Sequence, residues 1–128
     1  MNVESILKEK VIEALRYSYA PYSKIHVSAA ILCNDDSIYT GVNIENASYS
    51  VTICAERVAL FKAVSEGHRE FKAIMITSDI GLLTPCGVCR QALYEFSQDM
   101  EVITIYKDQQ KKWKINELLP VGFSLGDK

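Results

Sequence analysis

Cys54-Ala55-Glu56-Arg57, answered by Pro85-Cys86-Gly87-Val88-Cys89, anchors the layout of this chain. A cysteine with a carboxylate two residues on, followed later by Pro-Cys-x-x-Cys, has the spacing of a zinc site that activates water beside an acid. Thiolates from Cys54, Cys86 and Cys89 can surround one tetrahedral zinc ion (Zn2+) and leave its fourth corner to water. Helix N-termini favour such thiolates, because their free N–H groups attract negative charge. Pro85 suits a first helical position, and Ala59, Leu60, Ala63, Val64 after one motif and Leu93, Phe96 after the other recur at helical spacing. Helices are therefore expected over 54–66 and 85–97, with their starts converging on one metal.

Glu56 lies in the first turn of its helix, pointing roughly away from the Cys54 side chain but over the same helix end. From there it can take a proton from activated water and return it to substrate and leaving group. Three thiolates outweigh the charge of one divalent ion, and Arg57 could donate to a sulfur and drain the excess. Two plainer readings compete. Cys-x-x-Cys also serves redox chemistry, and Cys33 could complete a structural site of four thiolates. Glu56 and Pro85 argue against both, and Cys33, in an apolar run without a paired cysteine, reads as a small buried hydrophobe.

The chain has 128 residues, enough for one domain (1–128) with a real core. Its net charge of −2 disfavours nucleic acid, which demands a basic face. There is no apolar leader and no apolar run of membrane-spanning length, so no membrane partner is expected and a cytoplasmic protein is. Four cysteines, three of them committed to one site, suit a reducing compartment.

Residues 3–18 read as an amphipathic helix capped by Asn2 and ended by Tyr19-Ala20-Pro21-Tyr22. Strands over 26–33 and 38–42 flank the turn Asn34-Asp35-Asp36-Ser37 and form a hairpin. A polar loop, 41–49, leads to the zinc helix, which Gly67 closes, leaving His68 exposed. The apolar run 71–78 is a central-strand candidate. A strand over 101–106 is joined by 108–112 to a short one over 113–115. Alternating strands and helices imply right-handed crossovers and some parallel pairing. The expected fold class is α/β: a three-layer α/β/α arrangement around a mixed sheet.

On Ala20-Pro21-Tyr22-Ser23-Lys24, the run from Gly41 through Asn43-Ile44-Glu45-Asn46 to Tyr49, the two cysteine motifs with Arg90-Gln91, and Glu117-Leu118-Leu119-Pro120, nearly the whole chain resembles the small, homotetrameric, three-cysteine cytidine deaminases. That resemblance implies a five-stranded mixed sheet, zinc on Cys54, Cys86 and Cys89, and Glu56 as proton shuttle. It places Asn43 and Glu45 on the ribose 3′-hydroxyl, sets Ala55 and Ile25 around the substrate, and sends Phe123 into a neighbouring subunit's site. The implied partner is a pyrimidine nucleoside, and the implied reaction is deamination of cytidine and 2′-deoxycytidine to the uridines in pyrimidine salvage.

Independently, an amide and a carboxylate two residues apart in an extended segment point the same way and make a clamp for a sugar hydroxyl. Such a clamp favours nucleosides over free bases, and its carboxylate repels nucleotide phosphate. Ile25 stands where the family usually has phenylalanine, Ser28 replaces a common glycine, and Val51-Thr52-Ile53 is more apolar than usual, so an altered base pocket is expected. The rival readings are a deaminase of a modified or antibiotic nucleoside such as blasticidin S, which Asn43-Ile44-Glu45-Asn46 disfavours and Ile25 leaves open, and a non-catalytic zinc module, which has no need of Glu56.

Overall fold

The computed structural model describes residues 2–126. Helix α1, Val3–Ala14, starts as expected, with Asn2 accepting from the Ser5 N–H at 2.8 Å. It ends four residues earlier than its apolar spacing predicts. The chain tightens into a 3₁₀ turn, Leu15–Tyr17, where the Leu15 N–H turns to the Ile12 carbonyl. The Val11 carbonyl accepts from the Ser28 hydroxyl at 2.6 Å, and Ser18 leaves the helical path to donate to Asn43. Ser28 is therefore a bolt between α1 and the sheet and takes no part in a base pocket.

Strands β1, Val27–Cys33, and β2, Ile38–Val42, form the expected antiparallel hairpin. Strand β3, Phe71–Ser78, is buried at every position except Lys72, as a central strand should be. It pairs antiparallel with β1 and parallel with β4, Glu101–Tyr106. Strand β5, Gln109–Lys114, is longer than expected and joins β4 by a two-residue turn in which Lys107 has φ 54°. Its polar sequence hid it, since an exposed edge strand tolerates lysines and gives no apolar signal. Ile115 belongs to a short helix, α4, Ile115–Leu118. The described residues thus form one five-stranded mixed sheet, ordered β2-β1-β3-β4-β5.

Alternation along the strands builds two cores. Leu7 and Val11 of α1 pack with Ala30, Leu32, Met75, Ile103 and Ile105 on one face. On the other, Ala29, Ile31, Ile74, Ile76 and Val102 meet helices α2, Ala55–Ser65, and α3, Gly87–Phe96. This is the three-layer α/β/α fold. Helix α2 presses closely on β2: a Cβ on Gly41 would lie 2.4 Å from the Ala59 nitrogen and 2.6 Å from the Ala55 oxygen. His68, expected in solvent, is half-buried beneath Tyr39, with ring centroids 5.3 Å apart.

Candidate active site

Cys54 is the N-cap of α2 and Cys86 the N-cap of α3, each in extended conformation, while Cys89 is the third residue of α3. Pro85 consequently sits one residue outside the helix instead of at its first position, and its carbonyl accepts from Arg90 Nε at 2.7 Å. The three sulfurs lie within 4.8 Å of one another, and Cys54 and Cys86 are 3.7 Å apart. Two sulfurs at about 2.3 Å from a tetrahedral ion are separated by roughly 3.8 Å, so the donor set fits zinc in kind and spacing.

The electrostatics point the same way. A hydrogen bond from the Cys89 thiol, opposed by burial and aided by Arg57, brings the Cys54 thiol down to about 5. Cys89 moves upward because it holds the proton it shares with Cys54. Arg57 Nη2 donates to Cys54 Sγ at 3.6 Å, as the charge argument expects, while its buried Nε has no partner. An unsatisfied donor beside the cysteines suits a site that gains negative charge when its thiols become ligands.

Glu56, the second residue of α2, is only 5% exposed. Burial, with the nearby Cys54 charge adding to it, pushes its carboxyl up to about 7. It faces a cavity of about 220 Å3 shared with Cys54, Cys86, Ala55 and Asn43. Beside this cavity lies a wider groove of about 400 Å3 bounded by Tyr22, Ser23, Glu45 and Tyr49, and Thr52 borders both. Asn43 thus faces the chamber of Glu56, and Glu45 the adjoining groove.

Both sugar-clamp candidates are braced. Asn43 Oδ1 accepts from the Val27 N–H at 2.9 Å and from the Ser18 hydroxyl, and Nδ2 donates to the Ile25 carbonyl at 2.8 Å. One Nδ2 hydrogen remains for a ligand. Glu45 Oε1 accepts from the Tyr22 and Ser23 N–H groups at 2.9 and 3.1 Å, and Oε2 from the Ser23 hydroxyl. Led by the Ser23 hydroxyl, these bonds hold its carboxyl below the usual range. Glu45 lines the groove, and its Oε2 accepts a hydrogen bond from Ser23.

The family model for the cytidine and deoxycytidylate deaminase zinc-binding region matches residues 1–105. The chain belongs to the cytidine deaminase family. It is 46% identical to a cytidine deaminase of Sporosarcina psychrophila, over 99% of this chain and 95% of that one. The crystal structure of a cytidine deaminase from Burkholderia pseudomallei superposes with a TM-score of 0.88 at 37% identity, covering 96% of this chain and all of that one. A blasticidin-S deaminase of Bacillus cereus is also similar, at 32% identity over 80% of this chain and 79% of its own length.

Within this deaminase fold, two sequence-selected residues stand apart from the cavity. Ile25 is half-buried and contributes its carbonyl to Asn43. The backbone of Phe123 is gripped by Gln91, whose Nε2 donates to the Phe123 carbonyl at 2.9 Å and whose Oε1 accepts from its N–H at 3.0 Å, while the ring stays 65% exposed. The cavity also has walls that the motifs did not reveal: Val27, Ile76, Leu83 and Thr84. Leu83 and Thr84 directly precede Pro85-Cys86 and could have been suspected from that adjacency. Val27 and Ile76 come from strands β1 and β3, where only the packing selects them.

Proposed function

We propose that this chain is a zinc-dependent hydrolase that converts cytidine and 2′-deoxycytidine to the uridines with release of ammonia. The observation that carries this reading is a buried carboxyl, raised to about 7, sharing one small cavity with the cysteine cluster. Cys54, Cys86 and Cys89 would hold zinc, which supplies the Lewis acidity that makes water nucleophilic near neutral pH. Glu56, poised between charged and neutral forms, accepts one proton from the attacking water and delivers it to N3 of the ring, then takes the second from the new C4 hydroxyl and delivers it to the departing amine. The C4–O bond forms, the C4–N bond breaks, and ammonia leaves. Arg57 offsets thiolate charge. Asn43 and Glu45 hold the ribose and Ala55 lines the ring's cavity, while Ile25 braces Asn43 through its carbonyl and Phe123 serves a neighbouring subunit's site. The walls Val27, Ile76 and Leu83 exclude water from the ring.

We further infer that the protein is a cytoplasmic, single-domain homotetramer in pyrimidine salvage, with each site completed by a neighbour's Phe123. Tyr49, Val51, Val88, Val121, Phe123 and Leu125 expose apolar surface that a partner subunit could cover. Unpaired thiols support a reducing compartment. No helix among the described residues is long and apolar enough to cross a membrane.

Ammonia release from cytidine, 2′-deoxycytidine, free cytosine and blasticidin S tests the reading. Turnover of the first two, with little from free cytosine, is expected. Turnover of blasticidin S alone would shift the assignment to an antibiotic nucleoside, and a zinc-loaded protein inert to all four would reduce it to a binding module.

A further inference from the structure

Past the C-terminal end of α2, away from Cys54, three side chains of different ligand chemistry meet. Cys33 ends β1, Asp35 stands two residues on in the hairpin turn, and His68 follows Gly67 beyond the helix. One ligand atom from each lies within 4.8 Å of the other two. Backbone bonds bring them together. Asn34 N–H donates to the Glu70 carbonyl at 3.1 Å, and Cys33 N–H to the Ser37 carbonyl at 2.8 Å, so the turn lies along the segment that leads into β3.

The imidazole is oriented as a metal-binding histidine would be. Its Nε2 is 3.2 Å from Tyr39 Oη, and its Nδ1 faces Asp35 Oδ1 at 3.9 Å. That gap is too long for a hydrogen bond. Asp35 Oδ1 already accepts from the Ser37 N–H at 3.0 Å and the Ser37 hydroxyl at 2.6 Å. When Nε2–H is given to the tyrosine oxygen, Nδ1 is left with a lone pair on the side of the Asp35 carboxylate, the tautomer a metal ligand needs. A sulfur, an imidazole nitrogen and a carboxylate oxygen so placed can all converge on one cation. The negative end of α2 already draws one cation, since Arg69 Nη1 donates to the Val64 carbonyl at 2.8 Å.

We propose that Cys33, Asp35 and His68 form a second zinc site that clips the β1–β2 turn to the segment between α2 and β3. One sulfur, one imidazole and one carboxylate suit zinc and disfavour magnesium or calcium. Cys33 is fully buried and forms the inner wall, while exposed Asp35 opens a path for the ion and leaves a corner for water. Helix α2, 11 residues and so roughly 16 Å long, separates this site from the Cys54 cluster.

The test is zinc stoichiometry of the full chain, stripped with a chelator and titrated against a zinc-binding dye. The wild type should bind two equivalents per chain. His68→Ala and Asp35→Asn should each bind one fewer and keep wild-type turnover of cytidine. Cys89→Ala should also lose one, and its combination with His68→Ala should bind none. In the wild type, the second equivalent should raise the melting temperature beyond the first, and in His68→Ala that second rise should vanish. Counts equal to wild type in both His68→Ala and Asp35→Asn overturn the second site, whereas a count equal to wild type in Cys89→Ala overturns only the zinc reading of the first.

Discussion

At Glu56 the physics of one residue carries both chemistry and a cost in stability. Glu56→Gln keeps the three thiols and should bind zinc normally while losing nearly all turnover, measured as metal content against ammonia release. Cys89→Ala should lose metal and activity together, because two thiolates rarely hold zinc. The raised carboxyl also predicts a pH dependence in the metal-free protein. The folded state favours the neutral form, so the stability linked to Glu56 is fully present below about 4.5 and is lost as pH rises through about 7. In chelator, Glu56→Gln should match the wild type near pH 4 and exceed it by roughly 3 kcal/mol at pH 8. Denaturant midpoints at the two pH values check this, and a difference that stays constant with pH would contradict it. The carboxylate's place beside the cysteines was legible from its spacing to Cys54, but its raised proton affinity was not, since desolvation depends on what the fold packs around it.

Among the elements, the contact of α2 with β2 and the bracing of the loop between them position the site. Gly41→Ala would drive a methyl into the backbone of α2, one turn from Cys54, and should cost about 3 kcal/mol and weaken zinc binding. At Gly87, the first residue of α3, an added Cβ meets nothing within 4 Å, so Gly87→Ala should fold as well as wild type. Thermal unfolding with metal analysis separates the two. Glu45→Ala removes the acceptor facing the groove and frees the Ser23 turn that it holds, so KM for cytidine should rise about tenfold or more while preference over free cytosine erodes. An unchanged nucleoside-to-base ratio would place the sugar elsewhere. The sequence suggested that Asn43 and Glu45 act together, and the structure divides them between two adjoining chambers that Thr52 connects.

For the whole molecule, the open question is how many chains make a site. The tail is laid over α3 at close range, since a Cβ on Gly122 would lie 2.6 Å from the Tyr94 ring. Gln91 then fixes the next residue's backbone, so the Phe123 ring is presented outward at a set place. If a neighbour's site receives that ring, Glu56→Gln and Phe123→Ala assemblies should each be poor enzymes. Refolded together, they should exceed the sum of their separate activities, because some sites would pair an intact Glu56 with an intact Phe123. Activity no greater than that sum, or an active monomer on sizing, would end the shared-site reading.

The sequence by itself determined the elements whose signal is local. The apolar run Phe71–Ser78, the turn chemistry around Asp35 and the cap at Asn2 are set by neighbours in the chain, as is the spacing of Cys54, Glu56, Cys86 and Cys89. The tertiary structure alone decided what depends on partners distant in sequence. It ended α1 early by giving the Val11 carbonyl and Ser18 other partners, paired the polar strand β5 to β4, and moved Ser28 away from the site. It also brought Cys33 and Asp35 to His68 across the end of α2. Periodicity reports which face a residue occupies, but which groups converge on that face is fixed only when the layers pack.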